Sequence, residues 1–334
     1  MVIIMKHKIL AAVLAALVGV SAASCGEAVT AGFEPTAEDK KVVMTVGGRD
    51  VQYQEFRYYL LNNRRDSFGG VETLSEEQTE ELRSMTEENA RYTKAIGLMA
   101  DKYGVKLSDA DIDEVEAVIA EYRATQCQNN NDIYRVALEE QYMTDYLFRK
   151  LQQNNKLAYL TIDKMVESGA IKNDDATVDA LLESDELLCI KEIYIGYNTE
   201  ETKKYALSRA EEALESLMNG ADFIDVMREY SDYNEASMSP EHGYYTTEYE
   251  MPDYIWQTAA GLAEGEHSAI VESEYGYHLV MRCPKDAAYM EEIHGDIFSR
   301  YISAMYTKEL YETMETLEIV YTDYGASLDL ASVS

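Results

Sequence analysis

The stretch "SEYGYHLVMRC", from Ser273 to Cys283, decides how the second half of this chain is interpreted. It predicts a turn followed by a short β-strand, in which His278 stands between apolar neighbours. The chain has only five histidines, and this one is either a functional group or a hydrogen-bonded core residue. The segments around the strand, and the compartment in which the protein works, bear on both interpretations.

The N-terminus carries the features of a secretory signal peptide over residues 1–24. Lys6 and Lys8 precede the apolar run Ile9–Val20, and the small-residue stretch "SAASC" ends at Cys25. A charged start, an apolar core and small residues in this order are typical of secreted proteins. The apolar run is too short to span a bilayer comfortably, which disfavours a transmembrane helix.

Cys25 is a candidate lipidation site. The stretch "AASC" resembles the bacterial lipobox, in which a leucine usually stands where this chain has Ala22. The resemblance implies that Cys25 becomes the first mature residue and anchors the protein to the outer face of the cell membrane, because each buried methylene of an acyl chain contributes about 0.8 kcal/mol. Plain secretion is the alternative. The small and polar residues 25–40 predict a flexible, lipid-proximal linker.

The composition excludes several classes of partner and scaffold. With 62 acidic against 29 basic residues, the net charge is -33, which argues against nucleic acid because phosphates require clustered lysine and arginine. Three cysteines besides Cys25 are too few for a disulfide-built scaffold, so the fold must rest on a hydrophobic core. About 300 mature residues suggest two domains.

The periodicity predicts a helical block followed by an α+β unit. Residues 42–46 alternate as a half-buried strand does, "GGRD" makes a turn, and helical patterns then continue to about residue 183. From residue 187 the chain reads as a strand, two amphipathic helices, a short helix at "MPDYIWQTAAGL" and two strands around "SEYG". After Pro284 a helix returns, and "TLEIVYTD" predicts a last strand.

The segment Leu187–Pro284 resembles a parvulin-type peptidyl-prolyl isomerase domain. The stretches that carry the resemblance lie in order along it: "CIKEIYI", "NGADFIDVMREYS", "HGYY" and "EMPDYIWQTAAGLAEGEHSAIVESEYGYHLV". The earlier stretch "VVMTVGGRDVQYQEFRYYL" and the helices after it resemble the N-terminal chaperone region of SurA- and PrsA-like foldases. In that group a late helix returns to complete the chaperone domain.

The resemblance implies an α+β protein in which a parvulin domain (FKBP-like α+β) is inserted into a discontinuous helical chaperone domain. The apolar face formed by Met290, Ile293, Ile297 and Tyr301 is accordingly expected to pack against the N-terminal helices. The expected segments are a signal peptide at 1–24, a linker at 25–40, the N-terminal helical domain at 41–183, the parvulin domain at 184–286, a C-terminal helix and strand at 287–324, and a tail at 325–334.

The resemblance also points to a candidate site. Parvulins place two histidines on adjacent central strands beneath a proline-binding pocket; His278 matches the second, and Glu192 stands where the first is expected. Asp232 and Tyr233 follow the "YS" at which the family carries cysteine or aspartate, and Ser273 matches a hydroxyl position. The candidate catalytic residues are therefore His278, Glu192, Asp232, Tyr233 and Ser273, and the candidate substrate-binding residues are Met251, Ile255 and Tyr244.

The implied chemistry is rotation about X–Pro bonds in unfolded or partly folded secreted polypeptides, with no cofactor and no metal. The amide barrier of about 18–20 kcal/mol is lowered by binding the twisted amide more tightly than the planar one. A Glu192–His278 pair would hydrogen-bond but would place an anion beneath the pocket. Two functions therefore stay open: an extracytoplasmic lipoprotein foldase that catalyses isomerisation, and a non-catalytic holdase whose degenerate parvulin domain only binds peptides.

Cys189 and Cys283 stand near the start of the first and the end of the last predicted parvulin strand, which are expected to be antiparallel neighbours. A disulfide between them is left open by the sequence, as is the oligomeric state. The 27 tyrosines and 15 methionines favour either half-buried positions with wet hydroxyls or an adaptable groove for unfolded segments.

Overall fold

The computed structural model describes residues 34–69, 73–172, 174–233, 241–331 and 333. These residues form two compact units: one spans Ile171–Met305, and the other contains the described residues up to Ala170 together with those from Tyr306 onward. The predicted signal peptide and Cys25 lie outside the described residues. No helix in the described ranges is both long enough and apolar enough to cross a membrane.

The unit that contains both ends of the described chain has a small sheet and long helices. Its three strands are β1 (Val42–Val46), β2 (Arg49–Gln52) and β7 (Ile319–Tyr321). They are antiparallel neighbours in the order β2-β1-β7. The helices that follow β2 are α1 (Tyr53–Phe68), α2 (Glu76–Lys102), α3 (Asp109–Thr125), α4 (Asn131–Glu140) and α5 (Asp145–Glu167).

Side-chain caps define where these helices begin. Ser108 and Asp111 form a capping box at the start of α3: the Asp111 backbone N–H donates to Ser108 Oγ, and the Ser108 backbone N–H donates to Asp111 Oδ2. Ser75 and Gln78 form the same reciprocal pair at the start of α2. Each cap satisfies backbone N–H groups that have no partner within the helix.

The C-terminal part of the chain completes this unit. Helix α11 (His294–Glu315) buries Leu310 and Met314 in its last turns, and β7 then pairs with β1. The Gly47 backbone N–H donates to the carbonyl of Glu318, which joins the β1–β2 turn to the entry of β7. Helix α12 (Asp323–Ala326) follows β7.

The unit Ile171–Met305 is built on a four-stranded antiparallel sheet in the order β4-β3-β6-β5. Its strands are β3 (Leu188–Gly196), β4 (Tyr244–Thr246), β5 (Val271–Glu272) and β6 (Gly276–Cys283). Its helices are α6 (Asp175–Glu183), α7 (Glu200–Met218), α8 (Phe223–Tyr230), α9 (Asp253–Ala260) and α10 (Ala287–Glu292), together with the first part of α11.

The two faces of this sheet carry different cores. On one face, Ile193, Ile195 and Leu279 pack against the apolar sides of α7 and α8. Successive residues of a strand point to opposite faces, so Ile190 and Val280 lie on the other face, where they pack against Ile255 of α9. Helix α9 covers only part of that face, and the remainder carries the polar residues described below.

The helix after Pro284 packs differently from the expectation. Ile297 is buried with Leu181 and Cys283, and Met290, Ile293, Tyr289 and Tyr301 pack against the same cluster. The expected packing of this apolar face against the N-terminal helices is therefore wrong. The segment covers an apolar surface formed by α6 and the ends of β3 and β6. The part of α11 from Tyr306 onward lies in the other unit.

Cys189 and Cys283 occupy directly opposed positions of β3 and β6, as expected for antiparallel neighbours. Both are buried free thiols, and the Cys189 thiol donates to the carbonyl of His242. The adjacent Cys283 sulfur and burial raise the pKa of the Cys189 thiol, so it stays protonated at neutral pH.

Candidate active site

His278 lies in the middle of β6, between β3 and β5. Tyr194 is its direct partner on β3, and Val271 is its partner on β5. Glu192 precedes Tyr194 by two residues and so lies on the same face of the sheet. The imidazole and the Glu192 carboxylate are both buried, with side chains 4% and 8% exposed. Solvent therefore contributes little to stabilising either group, and each requires a partner within the protein.

Three of the predicted catalytic residues form one hydrogen-bonded row. The Nδ1 atom of His278 lies 2.6 Å from Glu192 Oε1, and its Nε2 atom lies 2.7 Å from Ser273 Oγ. An ionised carboxylate only accepts, so Nδ1 carries a proton and donates to Glu192. Backbone N–H groups of Tyr275 and Gly276 donate to Ser273 Oγ and hold this hydroxyl in the β5–β6 turn. The row thus fixes the imidazole at both nitrogens.

Two tyrosines that the sequence analysis did not single out flank His278. The ring of Tyr194 lies 5.2 Å from the imidazole and that of Tyr254 lies 5.3 Å from it, centroid to centroid. Tyr233, a predicted site residue, stacks on Tyr194 at 4.9 Å. The alternation of "KEIYI" contained a signal for Tyr194, since it places this residue on the face of Glu192. Tyr254 lies on α9, and the position of its ring beside His278 depends on how that helix packs on the sheet.

Glu192 is the electrostatic centre of this group of tyrosines. Burial raises the pKa of Tyr233, Tyr244 and Tyr254, and the negative charge of Glu192 adds to the increase in each case. The hydroxyls therefore remain protonated at neutral pH and are available as hydrogen-bond donors. Tyr254 lies beside the row through its ring contact with His278.

Asp232 is placed apart from this row. Its carboxylate accepts hydrogen bonds from the Gly196 backbone N–H and from Arg209 Nη1, each at 2.8 Å. Its own backbone N–H donates to the carbonyl of Tyr194. With both carboxylate oxygens engaged in this way, Asp232 ties the segment after α8 to the end of β3, and it thereby positions Tyr233 against Tyr194.

The predicted proline-binding residues lie together beside the row. Ile255 is buried in the cluster under α9, and Met251 and Tyr244 pack at its partly exposed edge. Gly243 precedes Tyr244 with φ +75°, and a Cβ at this position would lie 2.7 Å from the carbonyl oxygen of Ile190. Only glycine fits this turn, which brings β4 alongside β3. The arrangement offers an apolar surface next to a row of hydrogen-bonding groups.

Comparisons with known proteins agree with this architecture. Residues 187–283 match the family model of the PPIC-type PPIase domain, and residues 1–160 match that of the SurA-like N-terminal domain. The chain is 27% identical to foldase protein PrsA of Bacillus subtilis over 188 residues, which are 55% of this chain and 56% of that protein. It is 24% identical to foldase protein PrsA 2 of Listeria innocua over 243 residues, which are 70% of this chain and 72% of that protein.

Solved structures give weaker superpositions. A crystal structure of PrsA from Bacillus subtilis aligns with 83% of this chain and 93% of its own length, at 23% identity and a TM-score of 0.29. A crystal structure of a PpiC-type peptidyl-prolyl isomerase domain aligns with 31% of this chain and 95% of its own length, at 27% identity and a TM-score of 0.28. The assignment accordingly rests on the sequence matches.

The protein thus combines a PpiC-type parvulin domain with a SurA-like N-terminal domain in one α+β fold, as predicted. It is homologous to the PrsA foldases of Bacillus and Listeria. The match spans about half the length of the Bacillus subtilis relative. In the part of the chain that the structure describes, no group of three or more histidine, cysteine or acidic side chains is arranged to hold a metal ion.

Proposed function

We propose that this protein is an extracytoplasmic foldase that binds unfolded or partly folded secreted polypeptides and catalyses cis–trans isomerisation of their X–Pro bonds. The observation that supports this function best is the buried Glu192–His278–Ser273 row beside the apolar edge formed by Met251 and Tyr244. Isomerisation requires a grip on the proline ring and better binding of the twisted amide than of the planar one. The site offers both elements without a covalent step.

Each part of the site has a role in this mechanism. The apolar edge binds the ring, and the Tyr254 hydroxyl, on a ring that packs against His278, donates to a substrate carbonyl whose basicity changes as the amide loses conjugation. His278 and Glu192 act through Ser273 as positioning residues, because their own atoms are buried. Glu192 stands in place of the first family histidine and is the hydrogen-bond partner of His278. The row of hydrogen bonds is therefore complete without that histidine.

The function is tested by cis-to-trans relaxation of short X–Pro peptides with residues 26–334, varying X. We expect acceleration over the uncatalysed rate, and we expect Tyr254→Phe to lower kcat/KM about five- to ten-fold, because it removes one hydrogen bond made in the transition state. Tyr205→Phe, which changes an exposed tyrosine on α7, is the matched control. Background rates for every X with folded protein would refute catalysis and leave a peptide-binding holdase.

We also propose that Cys25 carries the lipid that anchors the protein to the outer face of the cell membrane. The proposal is supported by the "AASC" motif after an apolar run. Cys25→Ala should leave the precursor unprocessed by lipoprotein signal peptidase or release the protein into the medium, which fractionation and immunoblotting would detect. Retention of the variant in the membrane fraction at the size of the mature parent would show that Cys25 is not the anchor.

A further inference from the structure

A cavity of about 330 Å³ lies in the unit Ile171–Met305, next to the proline-binding edge. Tyr244 and Met251 line this cavity and also form the edge of the apolar cluster under α9. The cavity and the proposed proline site therefore adjoin at these two residues. A polypeptide whose proline lies at that edge would have a neighbouring side chain within reach of the cavity.

The walls of the cavity are aromatic and firmly held. Tyr289 stacks on His242 with a centroid distance of 3.8 Å and an interplanar angle of 8°. The same ring lies 5.6 Å from Tyr245, and Ile293 completes the apolar side. Because Tyr289 has two ring neighbours, this wall is already ordered before a ligand arrives, which lowers the entropy lost on binding.

The single cation of the cavity lining is paired with two carboxylates. Arg300 Nε donates to Glu250 Oε1 at 2.7 Å, and the guanidinium also lies 3.6 Å from Asp296. The second oxygen of Glu250 accepts from the backbone N–H and the hydroxyl of Thr247. One net negative charge is thus left in the lining, which disfavours an anionic ligand, and the aromatic side chains together with the planar guanidinium favour a flat one.

Part of this wall lies outside the parvulin family model. Tyr289 and Ile293 belong to α10 and its C-terminal end, and Arg300 belongs to α11, whereas the match to the PPIC-type domain ends at residue 283. The C-terminal segment therefore adds to the substrate-facing side of the parvulin domain as well as covering its core. An isolated segment 184–286 would lack these residues.

We propose that this cavity is a subsite for one large aromatic side chain of the bound polypeptide, close in sequence to the proline held in the adjoining site. The volume lies at the lower end of the range of about 300–1,000 Å³ that is usual for ligand pockets, which suits one side chain rather than a larger molecule. The inference rests on the proposed isomerase function. With such a subsite, the protein would select polypeptides that carry both a proline and a nearby aromatic residue.

The test uses residues 26–334 and a set of dye-labelled peptides that contain one Ala–Pro bond. Tryptophan, phenylalanine or alanine is placed in turn at each of five positions on either side of the proline, and Kd is measured by fluorescence anisotropy. At one or two adjacent positions we expect the aromatic peptides to bind about ten-fold more tightly than the alanine peptide. Equal affinities at every position would overturn the proposal.

Variants assign the effect to the cavity. Ile293→Trp should fill the space and bring the ratio of aromatic to alanine affinity close to one, whereas Ser299→Trp, on an exposed position of the same helical segment, should keep the parental ratio. Tyr289→Ala removes one wall and should also lower the ratio, which keeps the test valid if Ile293→Trp fails to fold. An unchanged ratio in both cavity variants would overturn the assignment.

The subsite and the catalytic function fail in distinguishable ways. Relaxation of a tetrapeptide that carries no aromatic residue measures the isomerase alone, whereas the affinity ratio measures the subsite alone. An active protein without aromatic preference refutes only the subsite. A protein with the aromatic preference but without catalysis supports the subsite in a non-catalytic peptide-binding protein.

Discussion

Replacement of His278 by leucine should lower the free energy of unfolding of the parvulin unit by about 3–5 kcal/mol, because it leaves the Glu192 carboxylate buried without its partner. Leucine keeps most of the volume of the imidazole, so the loss reports the unpaired charge more than a cavity. The single tryptophan of the chain, Trp256, lies in α9 of the same unit and reports its unfolding by fluorescence. Urea titration at neutral pH measures the change.

The matched control removes both polar groups. Adding Glu192→Leu to His278→Leu should restore most of the lost stability, since replacing a buried charged group and its partner by well-packed apolar residues is often neutral or stabilising. A double variant that unfolds as readily as His278→Leu would mean that Glu192 and His278 do not depend on each other. The stable double variant then separates folding from catalysis, because its relaxation rate with X–Pro peptides reports the contribution of the row to turnover alone.

A chain that ends at Met305 should lose the cooperative unfolding transition of the unit formed by both ends of the chain, while the parvulin unit still unfolds cooperatively. The deletion removes β7, one of three strands in the sheet, and the buried side chains that α11 contributes to this unit. Burial of an apolar side chain contributes about 1.5–3 kcal/mol, and a domain's net stability is about 5–15 kcal/mol. The buried apolar side chains lost from α11 are Tyr306, Leu310, Tyr311 and Met314.

The two transitions are separated by their probes. Far-UV circular dichroism reports the helices of both units, whereas Trp256 fluorescence reports the parvulin unit. The point variant Leu310→Ala provides a graded comparison without shortening the chain. Because Leu310 is fully buried, its replacement should lower the free energy of unfolding of the same unit by about 2–5 kcal/mol. Unchanged transitions in the truncated protein would mean that the segment after Met305 is an independent tail.

Much of the site was predictable because strand periodicity is a local property. The pattern of "CIKEIYI" placed Glu192 on one face of β3, and the resemblance to parvulins supplied the pairing with the strand of His278. The same local logic predicted the last strand, at "TLEIVYTD", which is β7 in the structure. Asp232, by contrast, was grouped with the catalytic residues from its position alone. Its role depends on Arg209, which lies on a different helix and carries no motif.

The sequence by itself determined the order of the elements, the α+β class and the identity of the residues on each strand face, because hydrophobic period and turn chemistry act between near neighbours. The tertiary structure alone decided which surface each apolar face covers. Helical spacing showed that Ile293 and Ile297 share a face, but the partner of that face was set by the apolar surface left open at the ends of β3 and β6. Burial against distant segments is non-directional and depends on the area that remains uncovered. For that reason the cavity at Tyr289 was visible only in the fold.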